Sequence, residues 1–99
     1  MPREKRTHTE IRAEKDALYT DLERGALTLG QATRRMRKIV RVTQVEYATH
    51  VLKIFPRVLM DLENDRGNPT LETLKKVAKP FGLKVSFVRQ KPEESNEQT

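Results

Sequence analysis

The sequence contains no cysteine and few aromatic residues, and none of its apolar runs approaches the length of a membrane-spanning helix. Without cysteine, the chain can form neither disulfides nor thiolate metal sites, and this composition is consistent with a reducing cytoplasm. The opening residues 1–10, MPREKRTHTE, lack the apolar core of a signal peptide. We therefore expect a cytoplasmic protein with no membrane partner.

Residues that usually carry catalysis or hold cofactors are also scarce. His8 and His50 are far apart in the sequence and have no carboxylate cluster at ligand spacing, so they predict no metal site. There is no glycine-rich phosphate loop, and neither a Ser/His/Asp arrangement nor paired carboxylates that would serve catalysis. We expect neither an enzyme nor a cofactor.

Positive charge is abundant, and it is concentrated in the middle of the chain. The formal net charge is +6, of which residues 28–62 supply +5, whereas residues 1–27 are neutral. A basic block within a folded segment indicates a polyanionic partner such as nucleic acid. The alternative interpretation is a solvated charged face.

Ninety-nine residues predict one domain with a single small core. Helical periodicity predicts a helix in residues 7–25, whose thin apolar stripe (Ile11, Leu18, Leu22) must pack on this chain or on another protein. Four short helices are predicted to follow, beginning at Thr28 (in capping-box spacing with Gln31), Thr43, Pro56 and Thr70. The side chains expected to face inward from these helices are Leu29, Ala32, Met36, Ile39, Val40, Val45, Ala48, either Val51 or Leu52, Leu59, Leu62, Leu71, Leu74, Val77, Ala78 and Phe81.

The pattern changes after the last predicted helix. Residues 83–90 begin LKVSFVR, an alternation that predicts one short strand. A lone strand is not stable by itself, so we expect Leu83, Val85 and Phe87 to mediate dimerisation by pairing with the same strand of a second copy. The polar residues 91–99 predict a disordered tail.

Four short helices with a tight central pair are typical of a helix-turn-helix, in which the second helix of the pair enters the major groove. From Leu29 to Leu83 the chain resembles the Cro/repressor-type helix-turn-helix family, in the pattern TQxEYA, then DLEN, then GNPTLETLxxVA. The segment GLKVSFV resembles more narrowly the HipB-type antitoxins of toxin–antitoxin operons. The resemblance implies an all-α bundle with an extra N-terminal helix and a short C-terminal β-strand. Its parts would be an extension (1–27), a DNA-binding domain (28–82), a dimerisation strand (83–90) and the tail (91–99).

The resemblance also implies a function. It describes a homodimeric transcriptional repressor that binds palindromic operator DNA and associates with the nucleoid in a bacterial cytoplasm. As a HipB-type antitoxin, the protein would repress its own operon and bind a toxin, either a HipA-like kinase or another toxin. Two alternatives are a stand-alone or phage-type regulator without a toxin, and a protein-interaction scaffold for which DNA binding is secondary.

The candidate recognition helix follows an irregularity in the family pattern. Between Ala48 and Leu59 the chain is one residue longer than usual, and residues 53–55, KIF, stand where the turn often reads Gly-Val-Ser. If Pro56 begins the recognition helix, Arg57 lies in its first turn and can bond guanine. A register shifted by the extra residue would instead move base reading to Lys53, Phe55 or Asp61.

Other candidate DNA contacts come from the flanking segments. Gln44 would bond a phosphate or brace a neighbouring side chain, and Phe55 would contact thymine methyl groups or simply pack. Arg66 and Asn68 lie in the loop after the recognition helix, where Asn68 would touch phosphate or only shape the turn. The complete set of predicted DNA-binding residues is Thr43, Gln44, Lys53, Phe55, Arg57, Asp61, Arg37, Lys38, Arg66 and Asn68.

Overall fold

The computed structural model describes residues 6–90 of the chain, which fold into a bundle of helices. The predicted tail (91–99) and the first five residues of the predicted extension lie outside the described residues. The helices are α1 (His8–Glu23), α2 (Leu29–Val40), α3 (Gln44–Glu46) with a π-helical continuation (Tyr47–Leu52), α4 (Pro56–Glu63) and α5 (Leu71–Ala78), followed by a 3-10 turn (Lys79–Phe81). Across residues 6–90, no helix has the length and apolar character needed to cross a bilayer.

Threonine side chains begin most of the described helices. At α2 the predicted capping box is confirmed, because Thr28 Oγ1 accepts from Gln31 N at 3.1 Å and Gln31 Oε1 accepts from Thr28 N at 2.9 Å. Reciprocal capping of this kind satisfies two backbone donors that the first turn leaves unpaired. Helix α4 differs, since Pro56 opens it and its N-cap residue, Phe55, forms no side-chain capping bond.

Helix α1 packs into the same core as the helices that follow it. Leu18 is fully buried, and Leu22 packs at the edge of the core. Tyr19 Oη donates to the Phe81 carbonyl oxygen at 3.0 Å, which ties α1 to the 3-10 turn. Leu18 and Leu22 of the apolar stripe of α1 therefore lie against the chain's own domain, whereas Ile11 is only partly buried.

Most residues predicted to face inward do so, but four do not. Leu29, Val45 and Leu71 are more than half exposed, and Val40 is also exposed. The first three lie in the first turn of their helices and Val40 lies at the end of α2. Side chains at helix ends extend past the packed surface even when they match the periodicity of the core face.

The π-helical segment Tyr47–Leu52 ends directly before the KIF turn, within the stretch Ala48 to Leu59 for which one extra residue was predicted. A π turn closes i→i+5 hydrogen bonds and so contains one residue more than an α turn. At the end of this segment Leu52 is buried and Val51 is exposed, so Leu52 is the one of these two residues that faces inward.

Residues 83–90 form no strand in the described chain, so the fold is all-α there. Leu83 packs against the core, whereas Val85, Phe87 and Val88 are exposed. A strand requires a hydrogen-bonded partner strand, and residues 6–90 of a single chain supply none. The alternation of apolar residues that predicted the strand is instead a partly exposed apolar segment.

Candidate nucleic-acid interface

Helix α3 with its π-helical continuation and helix α4 pack together as a helix-turn-helix. Lys53, the first residue of the KIF turn, ends the first helical segment in the left-handed conformation (φ 61°). Ile54 packs against the core, as a residue that plugs the turn should. Leu59 and Leu62 bury the inner face of α4.

The outer face of α4 is exposed and chemically mixed. Phe55 is 79% exposed, and the side chain of Arg57 is 81% exposed. Met60 and Asn64 continue this face toward the end of the helix. Arg57 Nε lies 3.7 Å from Asp61 Oδ2, an exposed i,i+4 pair of the kind that contributes little to stability. Arg57 can therefore exchange this carboxylate for another acceptor at small cost.

A buried carboxylate holds α4 against α2 and α3. The Glu63 side chain is 0% exposed. It accepts from Arg37 Nε at 2.7 Å and from Arg37 Nη2 at 3.0 Å, and from Gln44 Nε2 at 2.9 Å. Arg37 Nη1 also donates to the Val42 carbonyl oxygen at 3.2 Å. We refer to Glu63, Arg37 and Gln44 as the Glu63 clamp.

The Glu63 clamp changes how two predicted DNA contacts are understood. The guanidinium of Arg37, one of the predicted DNA-binding residues, is bound at both edges within the protein. Gln44 braces a neighbouring side chain, which was one of the two roles predicted for it. Arg37 and Gln44 thus hold α2 and α3 against α4, on the side opposite its exposed face.

The charges of the Glu63 clamp stabilise one another. Burial opposes ionisation of Glu63, but hydrogen bonds from Arg37 and Gln44 and the charges of Arg37 and Arg34 hold its pKa below the usual value. The hydrogen bond to Glu63 raises the pKa of Arg37. Beside them, burial raises the pKa of Tyr47 to about 12, and its hydroxyl has no hydrogen-bond partner among the described residues.

A second tether joins the C-terminal end of α4 to the start of α2. Asp65 follows α4 in the left-handed conformation (φ 55°) and accepts from Gly30 N at 2.8 Å and from Thr28 Oγ1 at 2.7 Å. A Cβ atom on Gly30 would lie 2.6 Å from the Leu62 carbonyl oxygen. The close approach of the two helices therefore requires glycine at this position.

Two shallow depressions beside α4 collect most of the other predicted contacts. Asp61, Arg66 and Asn68 line the depression at its C-terminal end. Lys53 and Phe55 line the depression at its N-terminal end, and residues of α5 complete that surface. The predicted contacts thus lie at both ends of α4, and only the residues of α5 come from a more distant part of the sequence.

The remaining two predicted contacts lie elsewhere. Thr43 is the N-cap of α3, where its hydroxyl accepts from Glu46 N at 3.1 Å. Lys38 is exposed but lines a depression between α1 and α2 together with Arg35 and Arg41. The structure therefore does not group Lys38 with the exposed face of α4.

Sequence reasoning missed residues on both sides of the helix-turn-helix. Lys76 of α5 reaches the turn, where its Nζ donates to the Lys53 carbonyl oxygen at 3.3 Å. No local pattern could reveal this contact, because the two residues meet only through the tertiary fold. Glu63 did carry a signal, since it is one of two acidic residues of the DLEN pattern and follows the apolar Leu62 directly.

Comparison with known proteins gives one informative similarity. The chain is 39% identical over 62 residues to the immunity repressor protein of Bacillus phage phi105, a match that covers 63% of this chain and 42% of that relative. The matched part is thus less than half of the relative's length. No protein-family model matches the chain, and no solved structure is significantly similar to it.

Within residues 6–90, no group of three or more His, Cys, Asp or Glu residues is arranged to hold a metal ion.

Proposed function

We propose that the chain is a sequence-specific DNA-binding transcriptional repressor of the phage type, which inserts α4 into the major groove of its operator. The observation that carries this proposal is the helix-turn-helix itself. Leu59, Leu62 and the Glu63 clamp fix α4 from its inner side, while Phe55 and Arg57 at its leading end stay exposed. The similarity to a phage immunity repressor supports it.

The exposed residues divide into base-reading and phosphate-binding groups. Arg57 lies in the first turn of α4, from which recognition helices reach base edges, and arginine bonds guanine bidentately. Lys53 and Lys76 at one end of α4, and Arg66 after the other, supply positive charge for the phosphates on either side. Arg37 has a positioning role, because its guanidinium is bound to Glu63.

The protein acts as a homodimer in this proposal, since helix-turn-helix repressors match a two-fold operator with two copies of the recognition helix. The exposed Val85, Phe87 and Val88 offer an apolar surface for the second copy. The chain binds DNA and catalyses no reaction. The similarity favours a phage-type regulator over a HipB-type antitoxin, whose toxin partner stays an untested prediction.

Selection from a random-sequence DNA pool tests the proposal. We expect one enriched motif of two inverted half-sites, with centres about 34–36 Å apart or a multiple of that distance. Binding should weaken steeply with salt, as it does when basic side chains displace counterions. A promoter carrying the motif should be silenced by this chain alone. Equal affinity for every sequence, or no binding at moderate salt, would support the interaction scaffold instead.

A further inference from the structure

Phe55 is an unusual choice at its position. It is the N-cap residue of α4, with extended backbone (φ −69°, ψ 141°), and it forms no capping hydrogen bond. N-cap positions favour Ser, Thr, Asp or Asn, and the other described α-helices each begin after a threonine that caps them. A phenylalanine here stabilises neither the helix end nor the core, because its side chain is 79% exposed.

The surroundings of Phe55 fix its backbone but leave its ring uncovered. Pro56 follows at the first position of α4, and its ring restricts the backbone conformation of Phe55 as well as its own. Ile54 on the other side packs against the core. The aromatic ring is therefore anchored at the leading end of α4, two residues before Arg57, with little freedom in the backbone that carries it.

We infer that Phe55 is a specificity-determining residue that contacts the C5-methyl group of a thymine beside the guanine bound by Arg57. This inference rests on the proposed function. In the major groove the thymine methyl is the apolar group that a base pair presents, and phenylalanine is one of the side chains that contact it. The leading end of α4 thus offers one apolar and one cationic side chain, which fit a thymine and a guanine at the same or neighbouring base pairs.

Replacement of single thymines by deoxyuridine in the selected operator tests this inference, because it removes one methyl group and leaves every hydrogen bond of the base pair in place. Wild-type protein should lose about fourfold in affinity for each half-site altered at one particular thymine, the value expected for one buried methyl group. Phe55→Ala should bind thymine and uracil equally at that position. Phe55→Leu should recover part of the preference.

The matched control is Phe87→Ala, which removes another exposed aromatic ring, 100% exposed against 79% for Phe55, from the C-terminal segment. Its ratio of thymine to uracil affinity should equal that of the wild type at every position, even if its overall affinity changes. Circular dichroism should show both alanine variants folded, since neither ring is buried.

The outcomes separate the inference from the proposed function. If no DNA motif is selected, both fail. If a motif is bound but Phe55→Ala retains the wild-type sensitivity to every methyl group, the inference alone is overturned. Phe55 would then face a second protein or remain in solvent while α4 reads DNA through other side chains.

Discussion

Substitution of Arg37 by alanine should destabilise the fold far more than loss of an ordinary surface arginine would. The change removes two hydrogen bonds to Glu63, at 2.7 and 3.0 Å, and one to the Val42 carbonyl oxygen at 3.2 Å. The Glu63 carboxylate is 0% exposed and would keep Gln44 at 2.9 Å, with Arg34 Nε 3.8 Å away. Removing one partner of a buried ion pair usually costs about 3–5 kcal/mol. Because Glu63 keeps these two partners, we expect a loss at the lower end, about 3 kcal/mol.

Urea unfolding followed by circular dichroism measures this loss, and Arg35→Ala is the matched control on the same helix. Arg35 pairs with Asp21 at 2.5 Å, but both side chains are about a third exposed (34% and 29%), so its loss should cost at most about 1 kcal/mol. The double variant Arg37→Met with Glu63→Leu should recover much of the stability, because it leaves no unpaired buried charge. If Arg37→Ala costs no more than Arg35→Ala, the Glu63 clamp does not hold the helices together.

Three further predictions concern the same framework. Gly30→Ala should lower the free energy of unfolding by about 1–3 kcal/mol, because the new methyl group meets the Leu62 carbonyl oxygen at 2.6 Å, and unchanged thermal stability would contradict this. Tyr47→Phe should leave the free energy of unfolding unchanged, since the Tyr47 hydroxyl lacks a partner in the described chain. Tyr19→Phe should lower it by about 1 kcal/mol, because the hydrogen bond to the Phe81 carbonyl oxygen is lost. Equal losses for the two variants in urea unfolding would contradict this difference. Because the pKa of Glu63 is lowered in the folded state, the unfolded state binds more protons at acidic pH. The stability that Glu63 supplies should therefore be present above pH 4.5, its ordinary pKa, and be lost as the pH falls through the lowered value. Glu63→Gln should lack this part of the pH dependence of urea unfolding, and an unchanged profile would contradict the assignment.

The sequence was sufficient to predict features that depend on local chemistry. The capping box at Thr28, Pro56 at the start of α4 and the inward positions of Leu59 and Leu62 all agree with the structure. Each depends on neighbouring residues of one helix, where spacing and side-chain type determine the outcome.

Features that depend on tertiary contact were predicted poorly. Val45 fits the periodicity of an α-helix, yet it is 59% exposed, because it lies in the first turn of its helix, and the inner face is formed by Tyr47, Ala48 and Leu52. Arg37 was expected to bind DNA because the sequence gives its charge but not its partner Glu63. For the base-reading face, the sequence supplied the candidate residues but not their surroundings, and the structure places Arg57 in the first turn of α4 and Phe55 directly before it.

The base preference of Arg57→Ala tests the central proposal most directly. Arg24→Ala is its matched control, because Arg24 is also exposed (66% against 81%) and also pairs weakly with a carboxylate on its own helix, at 3.9 Å against 3.7 Å. Affinities should be measured for the selected operator and for every single-base substitution of one half-site. Arg57→Ala should lose about 1–3 kcal/mol of discrimination at one guanine per half-site, while Arg24→Ala keeps the wild-type preference at every position. If Arg57→Ala instead lowers affinity equally for all sequences, Arg57 binds the DNA backbone, and α4 does not read bases through its first turn.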